Sequence, residues 1–198
     1  MPRRLLPLAA LVLAVALGAG CAEDVGPAAQ VGDTITISNM DLMDEVETWA
    51  DSPGMVSGLE MGDPAGPGPG SFATSFVNGV LGFRIGFELH NEQFDALGLE
   101  LTPEEVDQVR SGIFGTQSEQ VLDELGEEYA DQLVMDVARQ FAVQQAMGEE
   151  YQPWLIERYA TTDVEVNPRY GSWDKATGTV VPPEGPTSPP TTVPLAEP

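Results

Sequence analysis

The side chains that most often carry catalysis are scarce in this chain. His90 is its only histidine and Cys21 its only cysteine. A general base working near neutral pH would therefore have to be His90 itself. It stands on a helical stretch beside Glu88, Asn91 and Glu92, a setting that reads as solvated surface. Serines are present, but no Gly-x-Ser-x-Gly elbow occurs, and a Ser-His-Asp set would have to be assembled on that same histidine. Zinc sites usually draw on several Cys or His ligands, which this composition withholds. The run Gly66-Pro67-Gly68-Pro69-Gly70 places prolines where a phosphate-cradling loop needs amide donors. Carboxylates are abundant, with 32 Asp and Glu against 8 Lys and Arg, so Glu104-Glu105 and Glu149-Glu150 read as solvated helix ends rather than as an acid and a base. No acidic cluster follows a calcium-loop spacing. The expectation is a chain without a catalytic residue, a metal or a cofactor.

Cys21 has a different chemistry. A charged start (Arg3, Arg4) and an apolar run from Leu5 to Leu17 end in Gly18-Ala19-Gly20-Cys21. In such a segment the basic end stays cytoplasmic, the apolar stretch crosses the bilayer during export, and small residues admit a peptidase. A cysteine at a processed N-terminus is a nucleophile for acylation, and a lone one has no disulfide partner. The arrangement resembles the lipobox of bacterial lipoproteins. That resemblance implies a signal peptide over residues 1–20, lipid on Cys21, and an extracytoplasmic place at the outer face of the cell membrane. An ordinary signal peptide or an uncleaved anchor is the alternative, although the run is shorter than the roughly 20 residues a spanning helix needs. Loss of the leader removes Arg3 and Arg4 and no acidic residue. A surface this acidic repels nucleic-acid phosphates and anionic headgroups, so the membrane would hold the chain through lipid alone and nucleic acid is not a partner. Solubility, adaptation to salt, or attraction to basic client segments would each account for the acidity.

After a short tether over residues 21–29, Val31-Gly32-Asp33-Thr34-Ile35-Thr36-Ile37 alternates β-branched residues around a turn signal and predicts a strand or hairpin. Ser38 caps a helix running to about Ala50, with Leu42, Val46 and Trp49 on its buried face. Residues 51–70 carry Pro53, Pro64, Pro67 and Pro69 among many glycines and predict a long flexible loop. Met55, Val56, Leu59 and Met61 ride on that loop, either as adaptable contacts for a partner or as part of an inert insertion.

The longest apolar element runs from about Ser71 to Leu97. Phe72, Phe76, Val80, Phe83, Phe87 and Phe94 recur at spacings of three, four or seven, and Val77, Leu81, Ile85 and Leu89 form a second stripe. Apolar residues on two sides mark a mostly enclosed helix. Either it is simply the central core helix, or part of the phenylalanine stripe lines a groove for unfolded peptides. Gly79, Gly82 and Gly86 on the same helix suit close packing or a bend. Gly98 ends it, and Thr102-Pro103-Glu104-Glu105 opens the next helix with a capping box. Val106, Val109, Ile113 and Phe114 are expected to be buried there, as are Val121, Leu122 and Leu125 on the short helix beyond. From Glu127 to Met147, Leu133, Val134, Val137 and Phe141 are expected to face inward with the alanines, and Pro153 starts a last short helix. The strand pattern of residues 161–167 is expected to pair with 31–37 and so join the two ends of the helical domain. The remaining chain, residues 175–198, reads as a disordered proline-rich tail, with seven prolines between 182 and 198.

The order of these segments resembles the N-terminal chaperone domain of SurA-type and PrsA-type extracytoplasmic folding factors. The likeness rests on Val31-Gly32-Asp33 through Ile35-Thr36 with Ser38 and Asp41-Leu42, on Leu97-Gly98-Leu99-Glu100-Leu101-Thr102-Pro103-Glu104-Glu105-Val106, and on Val164-Glu165-Val166-Asn167 through Trp173-Asp174. It covers about residues 30–174. It implies a mainly α, multi-helix domain with a small β-sheet joining its terminal strands, and ATP-independent binding of unfolded or nascent exported polypeptides by a lipid-anchored holdase. On that reading Phe72, Phe76, Phe83, Phe87 and Phe94 are the candidate client contacts. Relatives often add a parvulin-type prolyl isomerase module, whereas only 31 residues follow Asn167 here, fewer than the roughly 50 of a small domain. A structural lipoprotein with one dedicated envelope partner, anchored through Tyr170 and Trp173, is a second possibility, and a prolyl isomerase lacking the usual module a third.

Overall fold

The computed structural model describes residues 26–183. The expected signal peptide, Cys21 and most of the expected tether and tail lie outside the described residues. Within them the protein is mainly helical, with a small antiparallel sheet where the two ends of the chain meet.

A hairpin of β1 (Ala29–Val31) and β2 (Ile35–Ile37) opens the fold, and β3 (Val164–Val166) returns after the helices to pair with β1. The register sets Ala29 against Val166 and Val31 against Val164. The expected pairing of the terminal strands is therefore present, shifted two residues toward the N-terminus. Ala28 and Ala29 are wholly buried, so the end of the supposed tether belongs to the sheet.

Ser38 caps α1 (Asn39–Ala50) by accepting a hydrogen bond from the Asp41 amide, and Leu42, Val46 and Trp49 fall on its buried face as their spacing requires. The proline-rich stretch that follows differs from its expected form. Residues 53–58 form α2 (Pro53–Gly58), because Pro53 occupies the first helical position, where no amide donor is needed, and Ser52 caps it. Met55 is buried, and the Glu124 carboxylate accepts from the Ser52 hydroxyl at 2.8 Å and from the Gly54 amide at 3.2 Å. Further on, Ala65 bridges Phe72, and the Ala73 amide donates to the Pro64 carbonyl. Segment 51–70 is thus fastened to the core at both ends.

The central element is α3 (Thr74–Ala96), packed on α6 (Glu127–Met147) along one side and on α1 on another. It ends where Gly98, at a φ of 63°, turns the chain, so that the Gly98 and Leu99 amides reach the carbonyls of Asp95 and Phe94. Next comes α4 (Pro103–Gly112), whose capping box is present in full: the Thr102 hydroxyl accepts from the Glu105 amide, and the Glu105 carboxylate accepts from the Thr102 amide at 2.8 Å. The short α5 (Ser118–Leu125) buries Val121, Leu122 and Leu125, and α7 (Tyr151–Thr161) packs on the far end of α6.

Two apolar clusters result. The larger joins α1, α3, α5, α6 and the sheet through Trp49, Phe76, Leu81, Ile85 and Val134. The smaller gathers Phe94, Val143 and Tyr151.

Residues 172–181 hold β4 (Ser172–Asp174) and β5 (Thr179–Val181), an antiparallel hairpin with β5 laid against α3. This corrects the expectation that chain beyond 174 is a disordered tail. Trp173 and Val180 insert into the core, and the β-branched run Thr179-Val180-Val181 suits a strand. Glycine is required at 171, where φ is 124° and an added Cβ would lie 1.8 Å from the Val181 carbonyl oxygen.

Candidate functional site

The phenylalanines of α3 do not share one open face. Phe76 is wholly buried in the larger cluster, and Phe94 is 7% exposed in the smaller one, with the Arg139 guanidinium 5.9 Å from its ring centre. Phe72 precedes the helix and is half-buried against the core. Phe83 and Phe87 are different, because both line a cleft between α3, α4 and α6. Phe83 keeps 39% of its surface exposed although it sits midway along the central helix. Its ring packs 5.6 Å from Trp49 and 6.4 Å from Phe87, both tilted.

The reason for this opening lies in α4. Val106, Val109, Ile113 and Phe114 give it an apolar face as expected, yet no residue of the helix is fully buried. That face stands off from α3 and forms a wall, with Phe83 and Phe87 opposite and Val137 and Phe141 of α6 between them. Phe141, expected to point inward, is 53% exposed. Helix α4 has 10 residues against 21 in α6, so it covers only part of that helix. Trp49, Met55 and Leu59 close the deep end. The cleft measures about 480 Å³ and its wall is mostly apolar, with Glu105, Gln108, Gln140 and Gln145 as the polar members. An ion pair from Arg110 to Asp131 ties α4 to α6 beside it.

The Trp49 ring is held by a buried polar chain. Its indole N–H donates to the Tyr129 hydroxyl, which donates in turn to a Glu45 carboxylate oxygen at 2.6 Å. Burial pushes the Glu45 carboxyl above its usual range, opposed by the Tyr129 hydrogen bond and the Arg84 charge. Burial first, and then the neighbouring Glu45 charge, drive the Tyr129 hydroxyl upward. This group therefore positions an aromatic wall of the cleft.

A second chamber of about 490 Å³ shares Phe83, Phe87 and Gln140 with the first and continues under the β4–β5 hairpin. Gly86 leaves open space on the α3 side there, while Met61 lies over Gly79 and Val180 over Gly82, and Asn78, His90 and Tyr159 also line it. The sequence pattern gave no reason to single out Asn78 or Phe141. The first looks like a tolerated polar residue in a helix, and the second continues the apolar run of α6.

His90 is not on the surface. It is 2% exposed, with Nδ1 donating to the Gly86 carbonyl at 2.7 Å and Nε2 accepting from the Tyr151 hydroxyl at 2.9 Å. Burial lowers its pKa, and with both nitrogens engaged the neutral ring is a packing element, not a free base. Tyr170 and Trp173 are likewise turned inward. The Tyr170 hydroxyl donates to Asn39 at 2.8 Å, and the Trp173 ring meets Tyr159 edge-on at 5.8 Å. Of the carboxylate pairs, Glu105 is used in the helix cap, whose hydrogen bonds hold it below the usual range. Among the described residues no group of three or more His, Cys, Asp or Glu is placed to hold a metal ion, and no helix is long and apolar enough to cross a membrane.

No protein-family model, no curated protein and no solved structure matches the chain.

Proposed function

We propose that this chain is an extracytoplasmic, ATP-independent holdase, anchored by lipid at Cys21, that binds apolar segments of unfolded exported polypeptides in the cleft between α3, α4 and α6. The observation that carries this reading is the pair of exposed rings, Phe83 and Phe141, facing a mostly apolar cleft of about 480 Å³. Solvent-facing aromatics grouped in a concave surface are costly to keep unless something covers them. A client segment would do so, and its own folding would withdraw that segment again, so release needs no nucleotide. The strongly acidic surface would keep such a complex soluble. The likeness to SurA-type and PrsA-type chaperone domains points the same way. With Tyr170 and Trp173 buried, the dedicated-partner reading has lost its anchors.

The test is light scattering of a chemically unfolded model protein in the presence of residues 22–198. Suppression of aggregation at near-stoichiometric ratio, beyond that given by an equally acidic unrelated protein, is the expected result. A folded domain that leaves aggregation unchanged would count against the proposal.

A further inference from the structure

The cleft that exposes Phe83 and Phe141 lies beside the point where the described chain stops. Pro182 lines the second chamber, which shares Phe83, Phe87 and Gln140 with the cleft. Residues 184–198 follow and lie outside the described residues. Val193 comes ten residues after Pro183. In a polyproline II conformation ten residues span about 31 Å, several times the roughly 10 Å between packed helix axes. The chain that follows β5 is therefore long enough to cross the cleft from the hairpin side.

The chemistry of the two matches. Among the described residues that line the cleft only Glu105 is ionisable, and its carboxylate is engaged in the α4 cap, so a charged occupant would find no free counter-charge there. Residues 185–196 carry no charge. They include Pro186, Pro189, Pro190 and Pro194; proline has no N–H, so such a segment offers carbonyl acceptors and few donors. The cleft supplies donors. Gln108 and Gln145 line it exposed and Gln140 half-buried, and none of the three side chains has a hydrogen-bond partner among the described residues. Their carboxamides can donate to main-chain carbonyls. Phe83, Phe87, Phe114 and Phe141 give the cleft aromatic walls, the setting in which proline-rich segments dock at low entropic cost. Val193 and Leu195 are the only large aliphatic residues after Pro183.

Resting on the client-binding reading above, we propose that residues 184–198 of the same chain dock along this cleft, with Val193 and Leu195 against Phe83 and Phe141, and that a client must displace them to bind. A covered cleft keeps the exposed rings from drawing two copies of the protein together. Tethering holds the segment at an effective concentration on the order of millimolar, so weak contacts are sufficient and a client of higher affinity still wins.

A nitroxide at position 196 of isotope-labelled residues 22–198, in the Cys21→Ser and Ala196→Cys background, reports by nuclear magnetic resonance where the segment lies. The amide signals of Gln108, Phe141 and Gln145 are expected to weaken relative to the reduced label and to recover when Val193→Ser and Leu195→Ser are added. Undiminished signals, or equal weakening in the chain with both serines, overturn the assignment. Weakening seen on isotope-labelled chains without nitroxide, mixed with unlabelled chains that carry it, makes the occupant the segment of a second copy and overturns it as well. Displacement is read by fluorescence anisotropy with a fluorescein-labelled decapeptide of alternating leucine and serine. The chain with both serines is expected to bind it about three- to tenfold more tightly than wild type, and equal binding by the two overturns the competition. Weakened cleft signals with a peptide that neither protein binds support the docked segment and overturn the client reading. Peptide binding without weakened signals overturns the docked segment and leaves the client reading standing.

Discussion

Replacing Phe83 and Phe141 by serine should weaken client binding, and at Phe141 it should do so at little cost to the fold. Phe83 is 39% and Phe141 53% exposed, which on a phenylalanine side-chain surface of about 200 Å² leaves about 80 and 105 Å² for a client to cover. At about 25 cal/mol per Å², covering them is worth at most about 2 and 2.6 kcal/mol. Ordering the client takes back part of this, so each single variant should bind about 5- to 30-fold more weakly and the pair several-fold more than either. The stability effects differ between the two positions. Phe83→Ser loses ring contacts with Trp49 and Phe87, each worth about 0.5–1.5 kcal/mol, and Phe141→Ser should lie near the surface range of about 0.5 kcal/mol. Phe76→Ala is the control of opposite kind. Its ring is 0% exposed and lines no part of the cleft, so it should cost about 3–5 kcal/mol of stability. Anisotropy with an apolar peptide and urea unfolding of the same proteins separate the two effects. A doubly substituted protein that is folded and binds as tightly as wild type would refute the assignment of the cleft.

Glu45 supplies a pH prediction. Its folded carboxyl holds a proton above the unfolded value near 4.5, so the native state is favoured below that value and loses stability as pH rises through the folded pKa. Glu45→Gln, which keeps an acceptor for the Tyr129 hydroxyl, should be more stable than wild type at pH 8, with the difference closing by pH 4, in thermal unfolding at the two pH values. Gly86→Ala has open space for its methyl and should raise stability by about 0.5–1 kcal/mol, read as a higher urea midpoint at unchanged slope. Thr102→Ala removes the hydroxyl that caps α4 and should lower stability by about 1 kcal/mol. Because α4 is a wall of the cleft, this variant should also bind peptide more weakly, and unchanged binding would show that the wall position does not depend on the cap.

Local signals were legible wherever the chemistry was local. Ser38 and the Thr102–Glu105 box name their own helix starts, because a cap is made between residues three apart. The strand pattern at 164–166 demanded a partner, and β1 was the early strand available to it. The misreadings fell where a distant contact outweighed a local preference. Prolines and glycines over 51–70 suggested a flexible loop, but Glu124, 70 and 72 residues away, accepts from Gly54 and Ser52. At 179–181 the β-branched run Thr-Val-Val stands beside a proline-rich stretch, and Val180 packing into the core beside α3 sets it apart from that stretch. His90 looked solvated beside Glu88, Asn91 and Glu92, but its own face of α3 is covered by Tyr151 and Trp154.

The candidate site divides along the same line. Composition alone established that any set needing several histidines or cysteines cannot be assembled, because the sequence has one of each. The periodicity of α3 established that it would be apolar on two sides and hence central. Neither could say which phenylalanine remains uncovered, since exposure depends on whether a neighbouring helix reaches a given turn. Helix α4 is short and stands off from α3, and α6 outruns it, so Phe83 and Phe141 face the cleft while Phe76 and Phe94 are sealed. Spacing along the chain fixes the side of a helix on which a residue falls, and only the packing of the other helices decides whether that side is core or opening.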